Sequence, residues 1–257
     1  MRAALGRLDE PIPSRLYCQS AWGPARALMV LLPGAGDRMG CFHDHGLVDT
    51  ALRSPLEVDV LEVDAHFGYY RSLTLIERLV EDVLERWSGT YESIWLVGVS
   101  MGCMGALLTA ERRPDAVSGC VLLSPYLGRR RLAREIDEAG GLTRWQPPED
   151  AQVWRWDLAS WTYLQRALLA PVPTDPMLHL VHGDTDLSPR AHALVTAHLA
   201  PSQVTSVAGE HEWSTWQRGF AELCYGGLRE ALAPTGLGAA LREGPPMVVG
   251  QCTLPAS

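Results

Sequence analysis

The stretch that most constrains this chain is Ile94 to Ala106, IWLVGVSMGCMGA. Ile94, Trp95, Leu96 and Val97 read as a buried strand, which runs through Gly98-Val99-Ser100-Met101-Gly102 into a helix of small residues. A serine on so tight a strand-to-helix turn sits in strained backbone, and bulk two residues to either side would collide with neighbouring chain. Glycine at both places removes that bulk. The turn also leaves the hydroxyl at a helix start, where unpaired N–H groups and the positive dipole end favour developing negative charge. The pattern is short enough to arise by chance, so the rest of the chain decides what it means.

Strand and helix alternate on both sides of that turn. Ala27 to Leu32 is a continuous apolar run ended by Pro33-Gly34, which suits a strand buried on both faces of a parallel sheet. A glycine-rich loop, Pro33-Gly34-Ala35-Gly36-Asp37, leads to a helix within 40–53, and Val58 to Val63 is the next strand. Leu75, Ile76, Leu79, Val80, Val83, Leu84 and Trp87 recur at helical spacing and predict one amphipathic helix over about 72–87. Beyond the serine turn come strands at 119–124, 178–181 and 204–207, a helix after Pro189 and a last helix over about 214–232; Tyr17 to Trp22 is placed at the sheet edge. The alternation predicts an α/β fold, a doubly wound and mostly parallel sheet with right-handed crossovers, in one domain over 1–257. Residues 129–175 are too long for a simple connection and read as a helical cap insertion; 233–257, rich in Gly and Pro, read as an irregular tail.

A net charge of −8 argues against nucleic acid or an anionic membrane surface as partner. No segment approaches the roughly 20 apolar residues of a membrane span, and the N-terminus lacks the apolar core of a signal peptide. The six cysteines, Cys18, Cys41, Cys103, Cys120, Cys224 and Cys252, show no metal-binding spacing and read as reduced, buried thiols. The expectation is a soluble cytoplasmic protein.

A serine hydroxyl is a poor nucleophile until a base takes its proton, and an imidazole base needs a carboxylate to fix its tautomer. Both groups are present after later strands: His182-Gly183-Asp184-Thr185-Asp186 follows 178–181, and Gly209-Glu210-His211-Glu212 follows 204–207. In LLPGAGD (31–37), GVSMG (98–102), HGDTD…P (182–189) and GEHEW (209–213), the chain resembles the α/β-hydrolases of the serine esterase type, over nearly its whole length. The resemblance implies Ser100 as nucleophile, His211 as base, and Asp186 as acid through the family's G-x-x-D pattern, with Asp184 as the alternative. It implies an oxyanion hole from the backbone N–H groups of Ala35 and Met101; Pro33-Gly34 stands where many members have His-Gly, which matters little to backbone donors. Some relatives take the acid from the preceding loop, but Ser124-Pro125-Tyr126-Leu127-Gly128 offers no carboxylate.

The implied activity is hydrolysis of a carboxylic ester or thioester of a small-molecule acyl substrate, with no cofactor and no metal. A thioesterase or acyltransferase acting on a carrier-bound acyl group, and a lyase or cofactor-free enzyme of the same fold, would keep the same triad. In the cap, Trp154, Leu158, Trp161, Leu164 and Leu168 share one helical stripe while Trp156 and Tyr163 lie on another. One stripe must pack on the body; the other roofs an acyl pocket or makes a further packing or oligomer contact, so Trp154, Trp156 and Trp161 are the pocket candidates. Arg129-Arg130-Arg131 with Arg134 reads as a solvated helix face, since Glu135, Asp137 and Glu138 follow. His43, His45 and His66 read as cleft-lining or solvent-facing rather than metal ligands, and nothing chemical follows from the spacing of His192 and His198.

Overall fold

The computed structural model describes residues 10–148, 155–171 and 176–232. Its strands are β1 (Ser14–Tyr17), β2 (Ala27–Leu32), β3 (Val58–Val63), β4 (Ser93–Val99), β5 (Gly119–Leu123), β6 (Met177–Gly183) and β7 (Val204–Val207). Its helices are α1 (Cys41–Asp44), α2 (Leu47–Arg53), α3 (Phe67–Ser72), α4 (Leu75–Leu79), α5 (Gly102–Arg112), α6 (Arg130–Glu138), α7 (Trp156–Leu169), α8 (Pro189–Thr196), α9 (Trp213–Tyr225) and α10 (Gly227–Ala231). One open sheet runs in the order β1-β3-β2-β4-β5-β6-β7, parallel except for β1, which pairs antiparallel with β3.

The strands have period two, and each face buries a separate core. Leu28, Val30 and Leu32 of β2, with Leu96, Leu122 and Leu180, face the side covered by α3 to α8. Ala27, Met29 and Leu31, with Val97, Val121 and Val181, face the side covered by α1, α2, α9 and α10. Strand order reverses between β2 and β4, so the loops leaving their carboxyl ends diverge and open a crevice, the usual ligand position in an open α/β sheet.

Several elements differ from the sequence expectation at their boundaries. The edge strand is Ser14–Tyr17, not 17–22: its partners are Val63 to Val60 of β3, and the chain bends away at Gln19. The amphipathic pattern over 72–87 is not one helix. Leu73 takes a left-handed conformation (φ 61°) that ends α3, and α4 passes into a π-helical turn at Val80–Glu85 that keeps Val83 and Leu84 buried. Gly46 (φ 77°) divides the 40–53 helix into α1 and α2, and Gly226 divides the last helix into α9 and α10. Of the 129–175 segment, α6 buries Leu132 and Ile136 and α7 buries Leu158, Trp161 and Leu164, all in the same core as α5. The tail at 233–257, with Cys252, and Trp154 lie outside the described residues.

Candidate active site

Ser100 stands at the end of β4 with φ +50°, in the left-handed region, which turns its half-buried side chain out of the sheet. The turn is pinned on one side by the loop after β5: Ser100 N–H donates to Leu123 O at 2.9 Å, and Tyr126 N–H donates to Ser100 O at 3.0 Å. The flanking glycines answer real contacts. A Cβ on Gly98 would lie 2.5 Å from Cys103 N, and one on Gly102 would overlap the Leu32 carbonyl. Cys103, three residues past the serine, is buried with its thiol directed at Gly98 O (3.1 Å), and burial pushes its pKa well up, so it stays a thiol.

The carboxylate and imidazole come from the next two loops, which are laced together. Asp184 N–H donates to Val207 O (2.9 Å), Thr185 N–H to Gly209 O (3.1 Å), and Gly209 N–H to Asp184 Oδ1 (2.9 Å). Asp184 is thus a tie between loops. Asp186 turns inward, its side chain only 1 % exposed, with Oδ1 3.0 Å from His211 Nδ1. His211 Nε2 in turn lies 3.0 Å from Ser100 Oγ. Burial pushes the Asp186 pKa upward, but the hydrogen bond with His211, the nearby Ser124 hydroxyl and the neighbouring imidazoles outweigh it and hold the group at about 2. An ionised carboxylate only accepts, so the imidazole proton sits on Nδ1 and leaves Nε2 to accept from the Ser100 hydroxyl. Trp216 packs edge-on against the His211 ring, with centroids 5.0 Å apart.

The loop after β2 closes the other side. Gly34 is so near the elbow, the strand-to-helix turn at Ser100, that a Cβ on it would lie 3.6 Å from Ser100 Cβ. The loop is anchored by a contact the sequence did not disclose: the Arg38 guanidinium clasps Asp64 at the end of β3, through Nε to Oδ1 (2.8 Å) and Nη2 to Oδ2 (2.6 Å), while Met39 N–H donates to Asp64 Oδ1 (3.0 Å). Arg38 lowers the Asp64 pKa accordingly. Glu62, fully buried two residues earlier in β3, accepts from Tyr17 Oη and from the N–H groups of Phe42 and His43, fixing α1 behind the loop. Among the described residues, neither the Ala35 N–H nor the Met101 N–H has an acceptor.

Of the tryptophans, Trp156 is partly exposed and packs on Tyr70 (centroids 5.1 Å), whose hydroxyl donates to Met101 O (3.2 Å). Trp161 is fully buried and donates its indole N–H to Leu127 O (2.9 Å). The histidines before β4 go to separate places: His43 stacks on Tyr17, His45 on Trp213, and His66 caps α3 by accepting from Gly68 N–H. His192, set aside on spacing alone, is buried beside the acid loop, with Nε2 3.3 Å from Pro125 O. A cavity of about 710 Å³ lined by Met177, Leu178, His179 and Gly227 opens at the opposite, amino-terminal edge of the sheet.

The sequence profile of the family described as alpha/beta hydrolase fold matches residues 76–167, from the helix before β4 through most of α7. Est1E from Butyrivibrio proteoclasticus superposes with a TM-score of 0.60 at 16 % identity, over 87 % of this chain and 95 % of that one. An S-formylglutathione hydrolase from Staphylococcus aureus gives 0.55 at 15 % identity, over 80 % and 82 %. The thioesterase domain from the curacin biosynthetic pathway gives 0.50 at 15 % identity, over 84 % and 99 %. At such identities the likeness is one of fold. No protein of curated function matches this sequence.

Proposed function

The chain is an α/β-hydrolase by fold, and on that premise we propose that it is a serine hydrolase that cleaves a carboxylic ester or thioester through an acyl-enzyme on Ser100. The observation that carries this reading is the unbroken relay of 3.0 Å from Asp186 Oδ1 to His211 Nδ1 and of 3.0 Å from His211 Nε2 to Ser100 Oγ. As Ser100 Oγ forms its bond to the acyl carbon, its proton passes to His211 Nε2, and Asp186 stabilises the imidazolium. The carbonyl electron pair moves onto oxygen, where the unengaged N–H groups of Ala35 and Met101, on loops in van der Waals reach of each other, serve as donors. Collapse expels the alcohol or thiol with the proton from His211. Water, deprotonated by the same imidazole, then releases the acid. Trp156, the tryptophan with an open face beside the elbow, is the described candidate for the acyl pocket.

Among the described residues no helix is long and apolar enough to cross a membrane, and Cys41, Cys103, Cys120 and Cys224 carry thiols rather than disulfides, which suits a reducing compartment such as the cytoplasm.

A fluorophosphonate probe tests the nucleophile directly. Wild-type protein should be phosphonylated at Ser100 and Ser100→Ala should not react; equal labelling of the two would overturn the assignment. Acyl esters and acyl thioesters of graded chain length, with Ser100→Ala as blank, then separate the leaving groups. Transfer to an added acceptor in place of hydrolysis would favour an acyltransferase.

A further inference from the structure

We propose that Ser124 is a positioning residue of the triad, its hydroxyl donating to Asp186 Oδ2 so that the carboxylate is held from both oxygens while it orients His211. This rests on the serine-hydrolase reading above. Ser124 closes β5, where its N–H donates to Val181 O (2.7 Å) of the strand that leads into the acid loop. Its side chain is fully buried. Residues on either side of it are tied to the nucleophile, Leu123 O accepting from Ser100 N–H and Tyr126 N–H donating to Ser100 O. Ser124 therefore occupies a short loop that touches both the nucleophile turn and the strand carrying the acid.

Two buried oxygens are left without a hydrogen bond of good geometry at this point, Ser124 Oγ and Asp186 Oδ2. A buried carboxylate oxygen left unpartnered has lost its water without a replacement, so a donor is expected there. The neighbouring groups are His211, His192, Cys103 and Ser124, with His182 packed on His192. His211 gives its Nδ1–H to Oδ1. His192 lies with Nε2 against the Pro125 carbonyl, which takes the proton of a neutral ring and leaves Nδ1 only as an acceptor. His182 directs Nδ1 to Gly183 O, and the Cys103 thiol is committed to Gly98 O. Of these groups the Ser124 hydroxyl is the donor that remains. It is close enough to lower the Asp186 pKa beside His211.

The backbone adds an independent argument. Ser124 has φ +46°, in the left-handed region that glycine would occupy without strain. A serine there accepts a backbone penalty and gains only its hydroxyl. Ser124→Gly removes the hydroxyl while relieving the backbone, and Ser124→Ala removes it while keeping the strain, so the pair separates the two contributions.

The test is the second-order rate of fluorophosphonate labelling of Ser100 against pH, with thermal unfolding of each variant alongside. Both variants should label about tenfold more slowly at neutral pH. Their acid limb should move to higher pH, because a carboxylate with one donor fewer holds the charged imidazole more tightly. A Ser124→Gly variant that labels at the wild-type rate with an unshifted acid limb overturns the proposal and leaves Ser124 a backbone residue. Should Ser124→Ala fail to fold, Ser124→Gly alone decides. Wild-type protein that does not react at all sinks the nucleophile reading and this one with it, whereas a reactive wild type with indifferent variants sinks only this one.

Discussion

Gly102 lies so close to the carbonyl of Leu32 that no side chain can stand between them: a Cβ would overlap that oxygen and fall 2.8 Å from the Pro33 carbonyl. The elbow helix and the donor loop are thereby set against each other, backbone to backbone, with Met101 on one side and Ala35 a few residues along the other. On the proposed mechanism, the second glycine of the serine motif thus helps to set the gap between the two N–H donors.

Gly102→Ala should therefore displace the loop rather than a side chain. We expect a loss of stability of roughly 2–3 kcal/mol and a fall in fluorophosphonate labelling of about a hundredfold. Gly105→Ala is the control. Its Cβ would lie 2.7 Å from Tyr70 Oη, which is buried and donates to Met101 O, so it would press on a side chain rather than on the backbone of the loop after β2, and labelling should fall less than in Gly102→Ala. Equal labelling by wild type and Gly102→Ala would show that the loop tolerates the shift.

The two aspartates of the acid loop should separate cleanly. Asp186→Asn leaves His211 without a carboxylate to fix its tautomer, and labelling should drop by about 10³–10⁴. Asp184 accepts from Gly209 N–H at an exposed position, so Asp184→Asn should change labelling no more than a few-fold. The reverse ranking would move the acid to Asp184.

The layered sheet and the loops carrying Ser100, Asp186 and His211 were legible in the sequence because each rests on a local rule. The runs at 27–32, 58–63 and 204–207 end where their apolar patterns end. What escaped depended on contacts between distant segments. Leu73 breaks the 72–87 helix with a left-handed residue that helical periodicity cannot register, and β1 is placed by pairing with Val60 to Val63 rather than by its own pattern. Arg38 with Asp64, 26 residues apart, gave no local signal. Ser124 and His192 were visible only as an unremarkable serine before a proline and a helical histidine; their place beside Asp186 follows from strand order.

Trp156 and Trp161, adjacent candidates in sequence, should behave as different kinds of residue. Trp161 is wholly buried with its indole N–H bonded to Leu127 O, so Trp161→Ala should cost roughly 3–5 kcal/mol and lower Tm with little change in substrate preference. Trp156 retains an open face against Tyr70, so Trp156→Ala should leave Tm nearly unchanged and raise KM for the larger acyl chains of the ester panel. A uniform loss of Tm in both variants, with unaltered chain-length preference, would remove Trp156 from the pocket.

His179 offers a test of stability against pH that does not involve catalysis. It lies mid-strand in β6 opposite Val121, 2 % exposed, with neither ring nitrogen hydrogen-bonded among the described residues. Burial lowers its pKa to about 4. Burial also lowers that of His192 to about 4, against the opposing pull of Asp186 and the Pro125 carbonyl. The unfolded imidazoles titrate near 6.5. Between those values the unfolded chain binds protons that the folded chain refuses, so the stabilisation is complete above pH 6.5 and is lost as pH falls towards 4. The expected loss between pH 7 and 5 is roughly 2 kcal/mol for each histidine, seen as a falling Tm or a lower denaturant midpoint at constant m-value. Asp186, held at about 2, does not titrate in that window and cannot produce the slope. His179→Leu should remove about half of it, because His192 remains. If the slope survives His179→Leu unchanged, the buried neutral imidazole is not its source.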